Sequence, residues 1–127
     1  DIQNLRLKVE AGAEFLITQL FFDNEKFWAF VEKVRAQGID VPIVPGIMPV
    51  LNLTNLQRIA SLSPGTTIPA ELETAFRDAG EDEEAALQAG VAFAAKQCRA
   101  LLAGGAPGIH FYTLNRSKAT LQTVAQL

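Results

Sequence analysis

Two short, almost wholly apolar runs constrain this chain more than any other feature: FLITQLFF over residues 15–22 and VPIVPGI over 41–47. Each is followed by a stretch with helical spacing. Runs this short, rich in β-favouring residues and apolar on both faces, describe parallel strands covered on both sides. Gln19 is the anomaly in the first, and the prolines of the second would interrupt a longer strand. A third β-favouring run, GIHFYT over 108–113, follows much later. Strands alternating with crossover helices are parallel, and right-handed crossovers leave an open doubly wound sheet or a slice of a (β/α)8 barrel. Three strands cannot close a barrel. No strand is followed by a GxGxxG or GxxxxGK[ST] turn, which counts against the Rossmann and P-loop forms of the open sheet.

The segments between the strands read as amphipathic helices. Ile2, Leu5 and Val9 have helical spacing before Gly12, while Asp1, Asn4 and Lys8 share another face of the same helix. Asp23 is placed to cap NEKFWAFVEKVRAQ, in which Phe27, Phe30, Val31 and Val34 form the apolar stripe and Gly38 the stop. NLTNLQRIASL covers Leu53, Leu56, Ile59 and Ala60, and Pro69 suits the first turn of a short helix, AELETAF. The acids Asp78, Glu81, Asp82, Glu83 and Glu84 gather where a long helix starts and complement its dipole. That helix carries Leu87, Val91, Ala94, Cys98, Leu101 and Leu102 on one stripe until GGAPG ends it, and RSKATLQTVAQL begins a last one.

Composition narrows the function classes. With 11 basic against 14 acidic residues, a net charge of -3 and a pI near 5.1, the chain lacks the basic face that phosphate-backbone binding requires, so nucleic acid is not an expected partner. Cys98 has no second cysteine to pair with, and His110 is the only histidine, so neither an internal disulfide nor a Cys/His metal cluster is expected. No apolar run approaches the roughly 20 residues of a membrane span. The expectation is a soluble, cytoplasmic protein. A chain of 127 residues also suits a single domain, although it opens on Asp1 inside a helical pattern and stops inside another, which suggests a fragment.

Sites in parallel α/β folds lie at the C-terminal ends of strands. Those ends offer Gln19 and Asp23, the turn Pro45-Gly46-Ile47, and His110, Tyr112, Asn115 and Arg116, with His110 and Tyr112 on one side by the period of two. Each has a plain alternative. Gln19 can be a satisfied core amide, His110 a structural histidine, and Tyr112 a hydrogen-bond donor to a neighbouring loop. Asn115 and Arg116 can cap the last helix, and the Asp1/Asn4/Lys8 face can be merely solvated.

The spelling and order of the segments are more specific than any one residue. LITQLFFD, then VPIVPGIMP, then a long helix and PGIHFYTLNR, closely resemble the methylenetetrahydrofolate reductase family, as does the opening pattern formed by Asp1, Asn4, Leu5, Lys8, Val9, Ala11, Gly12 and Ala13. The resemblance spans essentially the whole chain. It implies the C-terminal part of a (β/α)8 TIM barrel, about its last three βα units. The implied activity is an FAD-dependent reduction of 5,10-methylenetetrahydrofolate to 5-methyltetrahydrofolate with NAD(P)H, in which the flavin relays the hydride.

By position within that resemblance, Gln19, Arg116, Tyr112, Asn55 and Ile59 fall on the folate side, and Asp1, Asn4 and Lys8 on the FAD side. Gln19 would also meet the nicotinamide. Leu7 stands where some relatives carry a basic residue, and Ile59 where some bacterial relatives carry an aromatic. The family's glutamate general acid and its flavin-side aspartate belong to earlier strands, and no carboxylate here matches them. The chain alone is therefore expected to lack the acid and to be inactive, its partner being the remaining N-terminal part of the barrel. Another flavin-dependent barrel, of the proline dehydrogenase type, and a non-catalytic half-barrel that covers its edges by self-association stand beside this reading.

Overall fold

The computed structural model describes residues 2–127. Nine elements follow one another: α1 (Ile2–Glu10), β1 (Leu16–Leu20), α2 (Asn24–Ala36), β2 (Ile43–Ile47), α3 (Leu53–Leu62), α4 (Ala70–Ala79), α5 (Glu83–Ala103), β3 (His110–Phe111) and α6 (Ser117–Ala125). The three strands form one parallel sheet in the order β1-β2-β3. This is the mixed α/β architecture expected, and it is consistent with part of a TIM barrel.

Local chemistry accounts for most boundaries. The Asp23 carboxylate accepts the Glu25 N–H at 3.0 Å, and the Asp82 carboxylate accepts the Ala85 N–H at 3.0 Å, so α2 and α5 both start on an acidic cap. Pro69 sits at the N-cap of α4, one position before the first turn expected for it from its missing N–H. On α5 the buried stripe holds Val91, Ala94, Cys98 and Leu101, but Leu102 is exposed, because the helix also buries Ala86, Gly90, Ala95 and Gln97 and so turns its stripe away from that position.

The core divides in two. Phe27, Val34, Ile39, Ile43, Ile47, Ala94, Cys98 and Leu101 pack together beneath α1, α2 and α5. Phe22, Val50, Leu56, Ile59, Leu72, Phe76 and Ala86 form a second cluster among α3, α4 and the start of α5. A polar strut ties α5 to the end of β1: the Gln97 amide donates to the Phe21 carbonyl at 3.0 Å, and the Asn24 amide donates to the Gln97 carbonyl at 3.2 Å.

Two expectations are corrected. β1 is not covered on both sides: its residues alternate between half-buried and exposed, with Ile17 44% and the neighbouring Phe15 55% accessible. The packed helices cover one face of this strand and leave the other open. β3 is shorter than GIHFYT, because the chain leaves the ladder after Phe111. Only the Tyr112 N–H continues the pairing, to the Ile47 carbonyl at 2.9 Å, before a tight turn at Leu114 (φ 48) and Asn115 (φ 64).

Cys98 behaves as core rather than as a nucleophile. Burial pushes its thiol from 9.0 up to about 11, against a smaller opposing effect of the Arg99 charge. The protonated thiol is favoured in the folded state, so the unfolded chain releases its proton first. Stability from this group is intact below about pH 9 and falls by roughly 2–3 kcal/mol as the pH rises to about 11. Denaturation of the native chain and of Cys98→Ala across that window should show the gap between them narrowing; a constant gap would contradict the assignment.

Candidate functional site at the strand ends

The open face of β1 and the C-terminal ends of the strands carry the polar groups. β1 and β2 pair as Leu16 with Ile43 and Ile17 with Val44, then as Leu20 with Gly46. β1 thus advances three residues while β2 advances two, so Thr18 and Gln19 contain one extra residue, a bulge of the kind that re-aims side chains. Side chains replace the lost ladder bonds. The Gly46 N–H donates to the Thr18 hydroxyl at 2.9 Å, which in turn donates to the Gln19 carbonyl at 2.9 Å. The Tyr112 hydroxyl, arriving from the end of β3, donates to the Thr18 carbonyl at 2.8 Å.

Gln19 itself is exposed. Its Oε1 accepts the Leu20 N–H at 3.2 Å, which leaves the side-chain N–H groups and a second lone pair for a ligand. One groove brings this amide together with Asn4 and Lys8, floored by Leu5, Ile17, Phe27 and Phe30. The helical spacing explains why: Ile2, Leu5 and Val9 pack on the first core cluster, so the face of α1 bearing Asn4 and Lys8 stays exposed. Lys8 has no ion-pair partner among the described residues. Asp1, grouped with these two by spacing, lies outside the described residues.

A second groove collects Asn55, Ile59, Tyr112 and Arg116, together with Arg58 and the Thr113-Leu114 turn. Arg116 starts α6 but makes no side-chain cap bond, and neither it nor Arg58 has an ion-pair partner among the described residues. No carboxylate lines this groove, so two guanidinium groups face it without a counter-charge. Asn55 is partly committed: its Oδ1 accepts the Leu51 N–H at 3.2 Å while its own N–H donates to the Asn52 cap at 2.8 Å. Ile59 is buried, only 6% accessible, and offers the groove an apolar edge rather than a broad surface. His110 packs edge-on against Tyr112, with ring centroids 4.7 Å apart, so the two do share a side.

A cleft lined by Gln19, Asp23, Lys26, Leu62, Thr66 and Thr67 joins the two grooves, sharing Gln19 with the first and Leu62 with the second. The Lys26 ammonium donates to the Thr67 hydroxyl there. Thr18, Lys26 and Arg58 were missed in the sequence reading. Arg58 was within reach of it, since it stands at i+3 from Asn55 on the helix that also carries Ile59. Asp23 is occupied as a helix cap.

The comparisons with known proteins agree with this architecture. A family profile described as methylenetetrahydrofolate reductase matches residues 1–127. The chain is 40% identical over 126 residues to methylenetetrahydrofolate reductase 1 of Schizosaccharomyces pombe, covering 99% of this chain and 21% of that protein. It is 41% identical over 127 residues to methylenetetrahydrofolate reductase (NADH) 1 of Arabidopsis thaliana, covering 100% and 21%. Against 5,10-methylenetetrahydrofolate reductase of Pectobacterium carotovorum the identity is 40% over 118 residues, covering 93% and 39%. The chain thus spans well under half the length of these relatives. Among solved structures, an uncharacterized protein from Clostridium thermocellum that binds two copies of 5-methyl-5,6,7,8-tetrahydrofolic acid superposes with a TM-score of 0.58 at 17% identity, over 98% of this chain and 46% of that one. At that identity the likeness concerns the fold.

Proposed function

The chain belongs to the methylenetetrahydrofolate reductase family, and on that premise we propose that it supplies part of the FAD and folate sites of a reductase that forms 5-methyltetrahydrofolate with NAD(P)H. The observation that carries this reading is the meeting of the Gln19 amide with the Asn4/Lys8 face of α1 in one groove. An unneutralised ammonium one helical turn from an amide side chain suits a pyrophosphate-bearing cofactor. Asn4 and Lys8 would hold FAD, and Gln19, at the edge of the same groove, would present donor and acceptor to a pterin or a nicotinamide. When bound, the flavin supplies the hydride relay between nicotinamide and folate. The second groove would take the folate tail, with Arg116 and Arg58 opposite its carboxylates and Ile59 beside its apolar ring.

None of the chain's own carboxylates lines either of these two grooves, and Asp23, in the cleft between them, is engaged as the α2 cap, which supports the reading that a general acid comes from elsewhere. The remaining N-terminal part of the barrel is the proposed source. Co-expression with such a segment is expected to yield flavin absorbance and NAD(P)H-dependent folate reduction; a folded complex that retains no flavin would overturn the assignment. Within that complex Lys8→Ala should weaken FAD binding about tenfold or more, the worth of one charge-assisted bond. An unchanged FAD affinity would remove Lys8 from the cofactor site.

The open face of β1 favours a second reading of the partner. β1 and β3 are both outer strands, and Phe15 and Ile17 are exposed beside β1's free edge. Self-association of this chain would cover them as well as an N-terminal segment would. Sedimentation separates the two, since a compact monomer in the absence of any partner would exclude self-association.

A further inference from the structure

The Tyr112 hydroxyl points its single proton at protein, not at the groove. Its acceptor is the Thr18 carbonyl at 2.8 Å, the carbonyl of the peptide that leads into Gln19. This bond crosses the whole sheet, because Tyr112 follows β3 while Thr18 lies on β1, and it passes over β2 at Gly46. A Cβ on Gly46 would lie 2.6 Å from the Thr18 carbonyl oxygen and 2.6 Å from the Tyr112 ring, so the crossing exists only because that flank carries a hydrogen. Two further bonds close on the same two residues of the bulge: the Gly46 N–H on the Thr18 hydroxyl, and the Thr18 hydroxyl on the Gln19 carbonyl of the next peptide.

A bulge in a parallel ladder is uncommon and has no backbone pairing of its own to choose one conformation. Here the choice is made by side chains. We propose that Tyr112 is a positioning residue for Gln19: its hydroxyl, with the Thr18 side chain and the bare flank of Gly46, locks the extra residue of β1 so that the Gln19 amide faces the groove. The proposal rests on the reading that Gln19 meets the ligand, but the lock itself is a property of the protein without one. Tyr112 then acts through β1, and removing its hydroxyl releases Gln19 rather than a direct ligand contact. The edge-on packing of His110 against the Tyr112 ring helps to hold the ring across β2.

The test starts on the 127-residue chain by NMR, with no folate present. Tyr112→Phe keeps the ring and deletes only the donor. The side-chain amide resonances of Gln19 are expected to move toward free-amide values, and exchange of the Leu20 N–H, which donates to Gln19 Oε1, should speed up at least fivefold while the amides of Val91 and Leu101 keep their protection. A folded Y112F chain in which Gln19 and Leu20 are unchanged overturns the proposal. Should Y112F fail to fold, 3-fluorotyrosine at the same position strengthens the donor, and Leu20 exchange should slow; no change there overturns it equally.

The second stage uses the chain joined with an N-terminal segment and 5-methyltetrahydrofolate as the probe. Gln19→Ala should lose affinity at least tenfold, Y112F by a smaller factor, and the double variant no more than Gln19→Ala alone. Additive losses would mean that Tyr112 touches the ligand itself, and would overturn the positioning role. An unaltered affinity in Gln19→Ala would instead defeat the ligand role of Gln19, while the folate-free spectra decide the lock on their own.

Discussion

Replacing Gly90 by alanine should cost the chain about 3 kcal/mol or more, and lower its thermal midpoint by roughly 10 °C. Helix propensity alone argues the opposite, since alanine is favoured over glycine inside a helix by about 1 kcal/mol. The geometry decides against propensity. Gly90 is buried in the interior of α5, and a Cβ there would lie 1.7 Å from the Val50 carbonyl oxygen and 2.9 Å from its carbon. Those atoms are backbone, just past the end of β2, so no side chain can swing aside. Either α5 or the β2–α3 connection must move, and that connection supplies Met48, Pro49 and Leu51 to the arginine-bearing groove. Ala92→Gly, on the exposed side of the same helix, sets the propensity scale at about 1 kcal/mol. Urea denaturation of the two variants is the measurement. A G90A chain as stable as the native one would show that this close approach does not hold α5 in place.

Gly90 also marks the limit of what the sequence could show. Short apolar runs located the strands and 3.6-residue spacing most of the helices, because both are local properties that burial imposes on neighbours in the chain. The cap at Asp23 was equally legible, since an acid before an apolar-periodic run has a local task, whereas Asp82 read only as one of five acids near a helix start. What stayed hidden was set by distant partners. Gly46 reads as part of a turn and Gly90 carries no signal of its own beside the stripe of its helix, although a Cβ at either would collide with another segment. The Tyr112 hydroxyl finds its acceptor 94 residues away, and the bulge at Thr18 and Gln19 leaves no mark in a continuous apolar run. Covering of β1 failed for a related reason: an apolar strand tells that both faces prefer burial, not which layer supplies the cover. The candidate site fared better in its parts than in its grouping. Asn55, Ile59, Tyr112 and Arg116 share one groove, but Gln19, which the resemblance groups with them, lies in another with Asn4 and Lys8; that the two are joined by a cleft, with Arg58 in the Asn55 groove, needed the fold.

Gly46→Ala should do the second largest damage, about 2–3 kcal/mol, and its cost should depend on what stands at position 112. Gly46 is not among the glycines at positive φ, so its backbone would accept alanine without strain and the whole penalty is steric. The new methyl carbon would meet two obstacles at the same 2.6 Å, the Tyr112 ring and the Thr18 carbonyl oxygen. The ring is an exchangeable side chain; the carbonyl belongs to β1 and is not. In a Tyr112→Ala background the ring is gone, so the penalty of Gly46→Ala should shrink by about 1 kcal/mol, a coupling of the size expected for residues in direct contact. It should not vanish, because the Thr18 oxygen still stands in the way. A double-mutant cycle by chemical denaturation reads both numbers. Equal penalties in the two backgrounds would mean that Tyr112 does not cross β2 at Gly46, and a penalty that disappears with the ring would mean that β1 yields freely there. The intermediate result is the one in which Gly46 keeps β1, β2 and Tyr112 close enough for a single hydroxyl to hold the bulge that carries Gln19.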